Sequence, residues 1–243
     1  MKTFSLTGKL AIVTGASRGI GEAIARKMAQ SGARVILVAR SQERLKTVAE
    51  SIRQAGGQAW PVVADISRED QVIKMVEKIT RDFHRIDILI NNAGIGYALP
   101  VPETTASDWD LMMNTNARGA FFCSREVFKV MVEQKISGTI INIASLAGKK
   151  GYRYQAAYCA SKFALIGFSK VLAMEGRDYG IRVHLICPGG VNTEFIRKIR
   201  PDIPPETLIQ PEDIAETVLF LLHQSPSVVT DEILMRRFTS EVI

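Results

Sequence analysis

Cysteine is scarce, with three residues in 243, and Cys123, Cys159 and Cys187 stand too far apart to form a Cys-x-x-Cys pair. That spacing argues against a zinc site and against a disulfide framework, and it suits a reducing compartment. The three histidines, His84, His184 and His223, fall in no ligand or nucleophile pattern, so no metal centre is expected. The opening stretch MKTFSLTGKLAIVTG lacks the apolar core of a secretory leader. No uninterrupted apolar run approaches the roughly 18–20 residues that span a bilayer. A cytoplasmic location is therefore the expectation. The net charge of +6 is spread along the chain without a Lys/Arg block. Scattered basic charge disfavours nucleic acid as a partner and is explained more economically by attraction for a phosphorylated small molecule.

Hydrophobic residues, at 47%, suffice for a large core, and they are arranged in an alternating pattern. Strands are read at KLAIVT (9–14), RVILVA (34–39), QAWPVVA (58–64), RIDILIN (85–91), GTIINIA (138–144) and IRVHLIC (181–187), with a weaker seventh near 231–236. Helices are read through GEAIARKMAQSG up to Gly32, through QERLKTVAESIRQAGG behind Ser41, and from a Ser67-x-x-Asp70 capping box to about Phe83. Long helical stretches fill 108–134 and 156–177, and a shorter one follows Pro211. Continuously apolar strands are buried on both faces, which requires a parallel sheet covered by helices. The fold class is α/β: a single doubly wound Rossmann-type domain over 1–243, with a seven-stranded, mostly parallel sheet.

The turn after the first strand, TGASRGIG, carries Gly15, Gly19 and Gly21 at the site where a dinucleotide pyrophosphate sits on the N-terminus of a helix. Gly15, Ser17, Arg18, Gly19, Ile20 and Gly21 are its candidate contacts. A side chain there would collide with the phosphate or with the next strand. At the end of the second strand Ala39 stands where an NAD-preferring chain would show an acid, and Arg40 follows. Together with Arg18 it offers planar guanidinium forks for a ribose 2′-phosphate, so NADP(H) is the expected cofactor.

In YCASK, Tyr158 and Lys162 lie four positions apart and share a helix face. Thirteen residues earlier, Ser145 closes the strand INIAS at the carboxyl edge, where open α/β sheets bind ligands. With the Thr-Gly-x-x-x-Gly-x-Gly turn and the NNAG segment at 91–94, these residues resemble the short-chain dehydrogenase/reductase family from about Thr7 to Leu222. The resemblance implies a catalytic set of Asn116, Ser145, Tyr158 and Lys162, with Asn116 anchoring a proton-relay water and Lys162 also holding the nicotinamide ribose. It implies adenosine-side contacts from Asp65, Asn92, Ala93 and Gly94, and nicotinamide-side contacts from Pro188, Gly189, Val191 and Thr193.

The chemistry implied is NADPH-dependent reduction of a carbonyl to a secondary alcohol, with the Tyr158 phenol as general acid. An ordinary tyrosine has a pKa of about 10, and the Lys162 ammonium, with the positive charge of the nicotinamide when oxidised, is expected to lower it. Ser145 donates to the developing oxyanion. Through residue 193 the motifs resemble 3-oxoacyl carrier-protein reductases, but the tail SVVTDEILMRRFTSE lacks the closing glycines of that group. Three readings of activity stay open: reduction of 3-oxoacyl thioesters or small oxo acids, oxidation of 3-hydroxy acids, and a non-catalytic NADPH-binding regulator. An acyl carrier protein is a possible partner, and a homodimer or homotetramer through the two long helices is expected. The pocket is expected to be lined by Tyr97, Leu99, Leu146, Tyr152 and Tyr154 and by a short lid after Thr193. Around it stand Lys149, Lys150, Arg153, Arg197, Lys198 and Arg200, basic residues that can serve an anionic substrate or form a solvated rim.

Overall fold

Seven strands form one all-parallel sheet in the order β3-β2-β1-β4-β5-β6-β7. They are β1 (Leu10–Thr14), β2 (Arg34–Ala39), β3 (Gln58–Val63), β4 (Ile88–Asn91), β5 (Thr139–Ile143), β6 (Arg182–Pro188) and β7 (Glu232–Met235). The structure is a computed structural model that describes residues 5–241, so the outer ends of the expected 1–243 domain lie outside the described residues. Side chains alternate between two apolar layers. Ala11, Val13, Val35, Leu37, Ile88 and Ile90 face helices α1 (Gly19–Gln30), α2 (Gln42–Gln54) and α8 (Pro211–His223). Leu10, Ile12, Ile36, Leu89 and Ile140 face α3 (Glu69–Phe83), α5 (Gly119–Glu133) and α6 (Ala156–Arg177). Burial on both faces explains why these strands read as unbroken apolar runs.

Two expectations about helices are corrected. The stretch 108–134 is not one helix: α4 (Ala106–Met113) passes through a single π turn, Asn114–Arg118, before α5 begins. Such a turn carries one extra residue per turn, a feature that is frequent at functional sites. The Ser67 capping box does not form, because α3 starts at Glu69 without a side-chain cap. Ser67 instead gives its hydroxyl to Asp65 Oδ1 at 2.7 Å, and its amide donates to the same oxygen at 3.0 Å. By length and composition alone α6 could cross a membrane. It is a core helix here, with Ser161, Lys162 and Ser169 buried.

All strands run the same way, so their carboxyl ends share one edge. The sheet grows outward in both directions from β1 and β4, which makes the gap between them the topological switch point. One polar clamp holds that gap, and a second ties β4 to β5 and the helices beneath. Thr14 Oγ1 accepts the amides of Asn92 (3.0 Å) and Ala93 (3.1 Å). Asn91 Nδ2 donates to Ser124 Oγ and to Asn142 Oδ1, both at 2.8 Å, and Asn142 Nδ2 donates onward to Ser169 Oγ at 2.7 Å. The NNAG segment thus fixes the spacing of β1, β4 and β5 at the edge where the site is built.

Candidate active site

A cleft of about 650 Å³ runs along this edge from the β1–α1 turn to the lid after β6, a size typical of small-molecule and cofactor sites. Its β1 end is made by the glycine turn. Gly15 has φ +67° and Gly19 φ +57°, backbone conformations that side-chain-bearing residues rarely adopt. At Gly15 and Gly21 the space a Cβ would need is taken by the protein's own chain, the second of the two collisions expected there. A Cβ on Gly15 would stand 2.8 Å from Ala93 Cα, and one on Gly21 would stand 2.4 Å from Asn92 Nδ2. The turn is tight because it nests against the β4 exit, which leaves the Gly19 and Ile20 end open to the cleft.

The basic residues at this end differ in how far they are committed. Arg40 is exposed at the end of β2 and makes no hydrogen bond or ion pair among the described residues. Arg18 is ion-paired with Glu194, the first residue of the lid helix α7 (Glu194–Ile199). Arg44, absent from the sequence reading, approaches the same carboxylate at 3.8 Å. Asp65 lies at the β3 exit with one carboxylate oxygen held by Ser67. Asn92, Ala93 and Gly94 line the cleft, as do Pro188, Gly189, Val191 and Thr193, whereas Ser17, Gly21, Arg40 and Asp65 stand outside its walls.

At the other end Ser145, Tyr158 and Lys162 meet. Ser145 stands two residues beyond β5 in an extended conformation, not in the strand itself, and its Oγ accepts the Ala147 amide at 3.1 Å. Tyr158 and Lys162 sit in the first two turns of α6, as their spacing requires. The Tyr158 ring packs against Phe195 of the lid, with ring centroids 5.6 Å apart. Lys162 is almost completely buried, and its Nζ donates to Ile143 O at 3.0 Å. That amine lies 5.9 Å from the centroid of the tyrosine ring. Asn116, buried inside the π turn, spends both side-chain donors, on Ile95 O (2.8 Å) and Ser161 Oγ (2.9 Å), and accepts the Ile95 amide at 2.8 Å. It pins the loop after β4 to α6, and the remaining lone pair on Oδ1 is the side-chain atom left for a water.

The electrostatics depart from expectation. Burial pushes the Tyr158 phenol up to about 12, and a hydrogen bond with Ser145 pulls it back only in part. Burial lowers the Lys162 ammonium to about 8. Within the chain's own set of charges, desolvation outweighs any pull of the lysine on the tyrosine, so the phenol holds its proton at neutral pH.

The substrate side is also redrawn. Leu146 and Tyr152 line the cleft as expected. Tyr97 does not, because its hydroxyl donates to Asp108 Oδ1 at 2.6 Å. Leu99 and Tyr154 also lie outside, with Tyr154 exposed beneath the Arg153 guanidinium at 4.6 Å. The wall is completed by Phe195, Ile196 and Ile199 of the lid and by Arg237 of the tail. The lid EFIRKIRPDIPPE (194–206) was expected with its basic residues Arg197, Lys198 and Arg200 in view, whereas its apolar Phe195, Ile196 and Ile199 were not singled out as wall. Arg237 was missed because nothing in sequence spacing links it to Tyr158.

Comparison with known proteins agrees with this geometry. The family model for short chain dehydrogenases matches residues 9–204. A 3-oxoacyl-[acyl-carrier-protein] reductase of Synechocystis sp. is 38% identical over 89% of this chain and 90% of its own length. A second reductase of the same description, from Thermotoga maritima, is 34% identical over 94% of this chain and 96% of its own. The crystal structure of a metagenomic short-chain oxidoreductase in complex with NADP superposes with a TM-score of 0.85 at 37% identity, covering 97% of this chain and 99% of that one. The chain belongs to the short-chain dehydrogenase family.

Proposed function

We propose that the protein is an NADPH-dependent carbonyl reductase. The observation that carries this reading is the convergence of a protonated Tyr158, Ser145 and a buried, uncompensated Lys162 at one end of a cleft whose other end is a glycine turn flanked by cations. NADPH suits the cleft: Arg40 is uncommitted, Arg18 is shared with Glu194, and no acidic side chain follows β2 to repel a 2′-phosphate. Gly19, Ile20 and the Asn92–Gly94 segment would hold the pyrophosphate and adenosine side, and Pro188, Gly189, Val191 and Thr193 the nicotinamide side. When bound, the reduced dinucleotide supplies the hydride.

Ser145 would donate to the carbonyl oxygen as negative charge develops there. Tyr158 would then protonate that oxygen. An alkoxide is a much stronger base than a phenolate, so a phenol held near 12 can still give up its proton. Lys162 would compensate the transient phenolate, and Asn116 acts by positioning the Ile95 loop. A homo-oligomer is also proposed, supported by exposed Trp109, Leu111, Phe163 and Met174 on α4 and α6.

Consumption of NADPH with a panel of ketones tests the function. Tyr158→Phe should cut kcat/KM by about 10³-fold, in line with loss of a positioned acid, while quenching of its intrinsic fluorescence still reports NADPH binding. Turnover within about tenfold of wild type would contradict the mechanism.

A further inference from the structure

The walls of the cleft carry five cationic side chains, Arg18, Lys150, Lys162, Arg200 and Arg237, against one carboxylate, Glu241, among the described residues. Most of the basic charge around its mouth is already spent. Arg200 forks onto Asp202 at 2.7 and 2.8 Å. Lys149 pairs with Glu232 at 2.6 Å. Arg197 donates twice to Asn192 Oδ1, and Arg236 donates to backbone carbonyls of the tail. Arg18 and Lys162 belong to the dinucleotide side.

Two cations remain. Lys150 stacks on the Tyr152 ring, with its amine 5.7 Å from the centroid. Arg237 is half-buried in the wall, and its guanidinium makes no hydrogen bond or ion pair among the described residues. Its Cδ lies 3.7 Å from where a Cβ on Gly190 would stand, so the tail is folded over the β6 exit. The Gly189 amide donating to Met235 O at 2.7 Å fixes that fold. Tyr152 joins this group to the reaction centre: burial raises its phenol, the charge on Arg237 opposes that rise, and the Tyr152 phenol in turn helps to raise Tyr158. Leu146, Ile196 and Ile199 form apolar wall in the same cleft. An unpaired guanidinium beside apolar wall, one aromatic side chain from the acid, is a site for an anionic group at the far end of a short substrate.

We propose that Arg237, backed by Lys150, anchors a carboxylate of the substrate, so that the protein reduces small oxo acids in preference to neutral ketones or carrier-bound thioesters. This rests on the reductase reading. The carboxylates nearby do not cancel the site: Asp202 is held by Arg200, and Glu241 is exposed at the last described position.

The test compares kcat/KM, at saturating NADPH, for acetoacetate, levulinate and longer oxo acids, each against its methyl ester, with an acetoacetyl thioester as a third arm. At least one acid should exceed its ester by about tenfold or more, as expected for a charge-assisted fork. Arg237→Met should bring that ratio close to one, mainly through KM, Arg237→Lys should recover part of it, and Lys150→Met should lower it by a smaller factor. Should Arg237→Met fail to bind NADPH, the Arg237→Lys and Lys150→Met ratios decide the matter. Esters or thioester reduced as well as every acid by the wild type, or ratios unmoved by these variants, would overturn the proposal. Failure to consume NADPH with any ketone is a different result, and it would remove the reductase reading itself.

Discussion

At the amino edge of the sheet Asp87 is almost fully buried. It accepts hydrogen bonds from Lys9 (3.1 Å), from Arg85 (2.8 and 2.5 Å) and from the Leu10 amide (2.9 Å). At the carboxyl edge Lys162 is equally buried, yet among the described residues its amine reaches a single carbonyl and no carboxylate. Burial raises the Asp87 carboxyl, but its donors more than offset that and leave it below the usual range. At Lys162 burial is opposed only by a weaker pull from Cys187, and the ammonium is lowered to about 8. The same fold therefore satisfies a buried charge completely where only architecture is at stake, and leaves one uncompensated where ligands bind. Uncompensated charge at a cleft is a cost to stability that function can use.

The comparison can be broken most forcefully at Lys162. Lys162→Met should lose about 10²–10⁴-fold in kcat/KM and yet unfold less easily at neutral pH. The folded value near 8 lies below the ordinary 10.5. The unfolded chain thus holds the proton more tightly, and the penalty is full below pH 8 and lifts as pH rises toward 10.5. Denaturant unfolding at pH 7 should show the variant more stable by about 2–4 kcal/mol, at 1.4 kcal/mol per pKa unit. That gain should shrink as pH approaches 10. Equal stability at both pH values would mean that Lys162 is compensated after all.

Asp87→Ala should do the opposite, costing about 2–3 kcal/mol while sparing turnover. Lys9 and Arg85 are each nearly half exposed and can rehydrate, so the estimate stays below that for a fully buried pair. The carboxylate's contribution is present above its unfolded pKa of about 3.9 and disappears as pH falls through the lower folded value. The variant should therefore lose part of the acid limb of the stability curve in thermal melts.

Smaller effects sharpen the picture at the dinucleotide end. Arg40→Asp should raise KM for NADPH at least about tenfold more than KM for NADH. Equal losses would refute the 2′-phosphate assignment. Glu194→Gln releases Arg18 from an exposed pair of the kind worth at most about 1 kcal/mol. It should tighten NADPH by no more than about fivefold in a fluorescence titration, and weaker binding would show that the pair organises the site instead of competing for it.

How much of this was legible in the sequence follows from what each feature depends on. The five inner strands were readable because each is an apolar run buried on both faces, unlike the half-buried edge strands β3 and β7, and RVILVA at 34–39 and the helix at 156–177 match their expected bounds. The glycine turn and the Tyr158–Lys162 pair were readable because both are local in the chain. The π turn at Asn116 was not, since it depends on hydrogen bonds to Ile95 and Ser161 that are distant in sequence. The claim of Glu194 on Arg18 and the position of Arg237 in the wall depend on how the lid and the tail fold over the edge. The sequence shows the ammonium beside the tyrosine but not the desolvation that both groups share, which dominates among the chain's own charges.

The most direct test of the uncompensated cation is an NMR titration of protein labelled at the lysine ε-carbon, with the Lys162 signal assigned by its absence in Lys162→Met. A midpoint close to 8, well separated from the other lysines, is the predicted result. A midpoint at the ordinary lysine value of about 10.4 would contradict it.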